Sequence, residues 1–409
     1  MRSLRLLMVS SDTYPPRRVD VAVLFGVEMP KRQHRIDVIM QSEAACARAY
    51  VTTWGGGEAW VGATDLGDSL AGRLHKHVLG IINDGRLFSR LRHGRYDAVQ
   101  VKDKFLSGIF ALLASRMFRT RFVYWLSYPF PEHYLLRATE GTARYPLLYK
   151  LRGLAFKALL YRWLLPAADH VFVQSEQMRV DVAVEGIDYS KTTAVPMGVS
   201  EELCAAADLS GCRSILPQGS PCVVYLGTLD RVRRLDFLIR AFNAVRAVIP
   251  NALLYLVGRG EHAEDEAFLR REVARLGLQS GVVFVGQRPQ ALALQYVQEG
   301  DVCASPFYPT PILRSASPTK LVEYMAMGKA VVANDHPEQR RVIEDSGGGV
   351  CVAWDEQAFA AAILKLLENP QSARLMGERG RSYVRQHRAY GVIADRVECR
   401  LRDIVEGRC

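Results

Sequence analysis

Residues 317–334, SPTKLVEYMAMGKAVVAN, read as a short polar loop, a helix, a glycine stop and a buried strand. Ser317 stands where a helix N-cap belongs. Pro318 stands where the first helical residue does, its φ fixed and with no amide hydrogen to lose. Gly328 ends the helix ahead of the apolar run 330–333. Another strand-like run, 301–305, precedes the loop, so the unit is strand, loop, helix, strand. In an open parallel sheet, ligands collect at such helix N-termini, beyond the carboxyl ends of the strands. The amides of Thr319, Lys320 and Leu321 would face an anion there, with the helix dipole adding to the attraction. Glu323, one turn further in, is placed to accept hydrogen bonds from paired hydroxyls such as those of a ribose. An anion at the helix tip and a diol beside it describe a nucleotide.

Upstream, residues 225–239, YLGTLDRVRRLDFLI, repeat the strand-to-helix pattern. Gly227 permits close approach of backbone to a ligand, and arginines in the loop match phosphate oxygens with a planar fork. The segment Gly258, Arg259, Gly260 follows the next strand and borders the same region. Lys320 and Lys329 are the only lysines between Lys191 and Lys365, in a chain with 43 arginines and 10 lysines. That scarcity singles out Lys320 as a compact cation for a leaving diphosphate. No loop carries a DxD-like acidic cluster, so the expected chemistry is independent of metal ions, and no cofactor is called for.

Strand-like segments at 222–226, 253–257, 282–285, 302–305, 330–333 and 349–352 alternate with helical ones in the second half. Leu235, Leu238, Ile239, Phe242 and Val245 show the spacing of one buried helix face. The first half offers strands at 4–9, 35–40, 96–101, 122–126, 170–174 and 192–195, with an amphipathic stretch at 108–117. Two βα series in 409 residues imply two doubly wound α/β domains, with a boundary between 196 and 219.

The composition, 49% hydrophobic and 23% charged, is that of a globular protein, and no apolar run reaches the ~20 residues that span a bilayer. The N-terminal apolar run fits a first strand better than a signal peptide. Eight scattered cysteines (46, 204, 212, 222, 303, 351, 399 and 409) lack metal-ligand spacing and read as reduced thiols of a cytoplasmic protein. The net charge of +10 suits anionic lipid headgroups or phosphorylated substrates, or reflects arginine-rich codon usage. No nucleic-acid module is recognisable. Residues 149–165, YKLRGLAFKALLYRWLL, lack a clean amphipathic stripe, which leaves a partly buried helix and a lipid-contacting one both open.

The string around Glu323 resembles the donor-site signature of glycosyltransferase family four, retaining sugar-nucleotide enzymes of the two-domain GT-B type. The resemblance implies two Rossmann-like domains facing a cleft. The acceptor-binding domain would be 1–198 with the C-terminal helix 386–409 packed back on it, and the donor-binding domain 199–385. It implies transfer of a sugar from a UDP- or GDP-linked donor to a glycan or lipid-linked acceptor, in surface polysaccharide or glycoconjugate synthesis. Such an enzyme would be cytoplasmic, or peripheral on the inner face of the membrane.

In the family the loop after the first C-terminal strand carries an arginine and, five residues on, a lysine, both on the diphosphate. Here Thr228 and Arg233 occupy those positions. The family's first signature glutamate, eight residues before Glu323, is Ser315, and Ser315 or Arg314 would meet the sugar hydroxyls in its place. On the acceptor side, Arg17 and Arg18 replace a glycine pair, and Ser127 stands where relatives place a histidine. His133 lies in the same stretch and reads as a surface-loop side chain, and Asp103 as a polar contact. The residues 195–199, VPMGV, resemble the family's turn into the hinge. A sugar-nucleotide 2-epimerase of the same fold, or a non-catalytic binding subunit, remains an alternative.

Overall fold

The computed structural model describes residues 2–64, 69–141, 143–206 and 214–408. Cys212, Cys409 and part of the expected boundary segment lie outside the described residues. The chain divides into two units, Met1–Pro196 with Tyr390–Cys409, and Met197–Ala389.

Unit 1 is built on eight strands: β1 (Arg5–Tyr14), β2 (Arg35–Ser42), β3 (Tyr50–Trp54), β4 (Gly57–Gly62), β5 (Ala98–Lys102), β6 (Arg121–Leu126), β7 (His170–Val173) and β8 (Thr192–Ala194). Their order in the sheet is β3-β4-β2-β1-β5-β6-β7-β8. Every pairing is parallel except that of β3 with β4. The central strands are buried on both faces, as parallel strands must be when helices cover both sides. Along β1 the faces alternate. Leu6 and Met8 meet the helix Tyr390–Glu406, while Leu7 and Val9 pack toward the helices Leu70–His93 and Phe105–Phe118. The hairpin β3–β4 has no counterpart in the strands expected from sequence, and extends the sheet by one antiparallel pair.

Unit 2 holds β9 (Cys222–Leu226), β10 (Leu253–Val257), β11 (Val282–Gly286), β12 (Val302–Ser305), β13 (Val331–Asn334) and β14 (Gly349–Val352). All pairings are parallel, in the order β11-β10-β9-β12-β13-β14. Counted within the unit this is 3-2-1-4-5-6, the dinucleotide-fold order, whose reversal falls between β9 and β12. The expected helix after β9 is Asp236–Val248, with Leu238, Phe242 and Val245 buried. Cys222 and Cys303 are buried strand residues whose thiols burial pushes up to about 12. No disulfide forms among the described residues.

Candidate functional site

At the carboxyl edge of unit 2 the loops after β9, β10 and β11 run side by side. The Gly227 amide donates to Val257 O at 2.9 Å, Leu229 to Arg259 O at 3.1 Å and Gly258 to Gly286 O at 3.0 Å. Gly227 and Gly258 have φ of +153° and +138°, so side chains there would be strained. They would also collide, since a Cβ on Gly258 would overlap Gly227 O and one on Gly227 would overlap Lys320 Cε.

Lys320 comes from the helix Thr319–Ala326, which follows β12. This helix starts one residue later than the sequence suggests. Pro318 is its cap, and Ser317 makes no cap bond. The Ser317 hydroxyl accepts instead from the Met197 amide at 3.0 Å, tying the loop down. A turn later, Tyr324 OH accepts from the Leu226 amide at 2.8 Å and pins the helix to the end of β9. That pin places Lys320 over Gly227, its Nζ 5.1 Å from the centre of the Tyr225 ring. The amides of Thr319, Lys320 and Leu321 open the helix with no preceding turn to receive them. Leu321 contributes only that amide, because its side chain is in the core.

The site's charges are coupled. Burial pushes the Lys320 ammonium down to about 7, and the Arg233 guanidinium pushes the same way against the weaker pull of Glu323 and Asp230. Burial raises Glu323, and Lys320 partly offsets that. Glu323 is half-buried on the same helix rather than an exposed surface residue. Arg233 is steadied by Thr228, whose Oγ1 accepts from its Nε at 3.4 Å. Thr228, at the family's arginine position, thus serves the cation five residues on. Among the described residues, neither Lys320 nor Arg233 has a carboxylate in ion-pair contact. Arg259 is exposed, with its carbonyl used by Leu229. Ser315 is buried in the turn Leu313–Ser315. The loop before that turn is fixed by Asn334, which accepts from the Phe307 amide at 2.6 Å and donates to Phe307 O at 2.9 Å.

The residues expected on the acceptor side fall at the carboxyl edge of unit 1. Arg17 is exposed and pairs with Glu43 at 2.6 Å. Asp103 is not an open polar contact. Its carboxylate is buried, accepts from the Ser127 amide at 2.8 Å, and is also bound by the Ser127 hydroxyl. Burial raises its pKa, with Lys102 and Ser127 pulling the other way. His133 is not a loop side chain. It lies in the helix Phe130–Thr139, half-buried, with Nδ1 2.9 Å from Tyr128 OH. Burial, helped by Arg137, holds its pKa below the usual value.

Beside these residues lies a charge cluster that the sequence pattern does not reveal. Lys102, fully buried, contacts Asp12 at 2.9 Å and Asp20 at 3.5 Å, and lies 4.9 Å over the Trp125 ring. Arg18 grips Asp20 with two bonds of 3.1 and 2.7 Å. Burial opposes the Asp20 charge, but Lys102 and Arg18 outweigh it and hold this carboxyl below the usual range. The available signal was a lysine directly after a buried apolar run, at the end of β5.

Against families of known proteins, residues 19–198 match the model described as Glycosyl transferase 4-like domain, and residues 220–369 match Glycosyl transferases group 1. The chain belongs to the family-four-like glycosyltransferases of GT-B type. Among curated relatives of this glycosyltransferase is the phosphatidyl-myo-inositol mannosyltransferase of Mycobacterium leprae, 31% identical over 51% of this chain and 52% of that protein. The Mycolicibacterium smegmatis protein of the same name is 33% identical over 44% of each. The chain thus aligns with about half the length of the curated relatives it matches. Solved structures with the same fold include a sucrose-phosphate synthase from Thermosynechococcus elongatus (TM-score 0.71, 21% identity, 99% of this chain and 100% of that one). Another is Anabaena HepE in complex with UDP and glucose (TM-score 0.67, 17% identity, 98% and 99%).

Proposed function

We propose that the chain transfers a sugar from a nucleoside diphosphate sugar to a glycan or lipid-linked acceptor, with retention of configuration and without a metal ion. The diphosphate sits on the amides of Thr319, Lys320 and Leu321, between Lys320 and Arg233, and Glu323 takes the ribose hydroxyls. As the bond from sugar to phosphate breaks, negative charge grows on the departing diphosphate. Two cations already in place stabilise that charge without reorganising. Thr228 keeps Arg233 in position, and Gly227 and Gly258 leave room for the phosphates. Ser315 and the loop around it face the sugar.

The observation that carries this reading is Lys320 held over Gly227 at the reversal of strand order, with Arg233 beside it and, among the described residues, no carboxylate in ion-pair contact with either. The matching relatives named as a phosphatidyl-myo-inositol mannosyltransferase and a GDP-mannose-dependent phosphatidylinositol monomannoside mannosyltransferase support a lipid acceptor and a mannosyl donor as the first to try. The test is release of UDP or GDP from a panel of nucleotide sugars, with and without acceptor, together with the anomeric configuration of the product by NMR. Acceptor-dependent release with retained configuration is expected. Release that ignores acceptor would move the reading to an epimerase, and failure to bind either nucleotide by calorimetry would move it to a binding subunit.

A further inference from the structure

Between Glu140 and Asp169 the chain carries five cations, Arg144, Lys150, Arg152, Lys157 and Arg162, and no acidic residue. Half of that stretch is the helix Pro146–Leu159, which buries only Gly153 fully. Gly153 lies close against Leu135 of the neighbouring helix, so this side faces the protein. The other side presents Leu147, Leu148, Leu151 and Leu154, which are 71, 60, 57 and 48% exposed. At 100° per residue the four leucines fall within an arc of roughly 120°. Lys150 and Arg152 lie just beyond its two borders and are exposed. Just past the helix, Trp163 is 70% exposed. Following the cations alone hides this stripe, because Lys157 is drawn away to Glu185 at 2.6 Å.

We propose that the Pro146–Leu159 helix, with Trp163, is a docking face for an anionic lipid bilayer. Apolar side chains flanked by long cationic ones match the boundary between acyl chains and phosphate headgroups, a depth that tryptophan also favours. A contiguous exposed apolar patch on a folded chain marks a surface that something covers. A second copy of this chain fits poorly, since a self-complementary contact would bring two acid-free sets of cations together. Among the described residues no helix is long and apolar enough to cross a membrane, so the contact is with the bilayer surface. The inference rests on this face alone and stands or falls separately from the nucleotide site.

The experiment is flotation of the full chain with vesicles of phosphatidylcholine alone or mixed with phosphatidylglycerol, at low and at high salt. Binding to the mixed vesicles, weakened by salt, is expected, with little to the neutral ones. Leu151→Asp with Leu154→Asp should cut partitioning at least tenfold. Lys150→Gln, Arg152→Gln and Arg162→Gln together should cut it roughly a hundredfold, about fivefold per charge. Because these side chains are exposed, both variants should keep the parent melting temperature and nucleotide affinity. No binding to anionic vesicles at low salt, or binding unchanged in the leucine variant, would overturn the proposal. So would a sedimenting dimer that the leucine variant dissociates.

Discussion

Both units set charged side chains where the strand order reverses, between β1 and β5 in one and between β9 and β12 in the other, but they treat the charge in opposite ways. In unit 1 the cations are answered from within. Lys102 has Asp12 and Asp20, and Arg18 has Asp20. In unit 2, Lys320 and Arg233 lie close enough to depress the lysine, with no carboxylate of the protein in ion-pair contact among the described residues. A cation answered by carboxylates is satisfied by the fold, whereas one left beside another cation is free to meet an anion, as the proposed function requires. On the proposed reading, the same position in two related sheets serves structure in one and binding in the other.

The sharpest way to break this contrast is Lys102→Met, which leaves the buried Asp20 and the partly buried Asp12 without their ammonium. A loss of about 3–5 kcal/mol in urea unfolding is expected. A loss below 1 kcal/mol, on the same scale, would remove the structural role. In unit 2 the effect should appear in turnover instead. Arg233→Ala and Lys320→Ala should each lower it by roughly 10²-fold without lowering the melting temperature. Near-normal rates in both variants would end the leaving-group assignment. Gly258→Ala, which drives a methyl group onto Gly227 O, should weaken UDP or GDP binding by roughly tenfold, since strained backbone costs about 1–3 kcal/mol.

A fourth measurement uses the Lys320 pKa of about 7. Near pH 8 the free protein holds this amine mostly neutral, and a bound diphosphate favours the charged form. Calorimetry in buffers of different ionisation enthalpy should show proton uptake on nucleotide binding at pH 8, fading below pH 6 and absent in Lys320→Met. The sign for stability follows from linkage. The folded pKa lies below the unfolded one, so the lysine costs stability at neutral pH and progressively less as pH rises toward 10.5. Lys320→Met should therefore raise the melting temperature at pH 7 more than at pH 10. The smallest effect is Ser317→Ala, about 1 kcal/mol, from stranding the Met197 amide.

The strands of unit 2 were legible almost residue by residue, because continuous apolar runs bounded by glycine have few other readings. The segments 222–226, 253–257, 302–305 and 349–352 coincide with the observed strands. The hairpin β3–β4 was missed although its turn, Gly55 and Gly56 at φ of +58° and +70°, is a glycine pair of the kind hairpins prefer. Its outer strand is largely exposed, so it lacks the apolar run that marked the others. Lys320 and Glu323 could be picked out because their spacing along one helix is local, and Arg233 because it lies in a strand-to-helix loop with its own local pattern. The Lys102 cluster could not, since Asp12, Asp20 and Lys102 meet only when β1 and β5 pair. Ser317 was misplaced for a similar reason, its partner Met197 being 120 residues away.

The helix Tyr390–Glu406 places Tyr390, Ile393, Val397 and Leu401 in the same core as Leu6 and Met8 of the first strand. Unit 1 therefore stays open along one face while the ribosome makes all of unit 2. Until residues 390–406 emerge, the nascent chain exposes an apolar sheet face, a natural client for a chaperone. The order of synthesis makes unit 2 the first to finish folding, although it is encoded second.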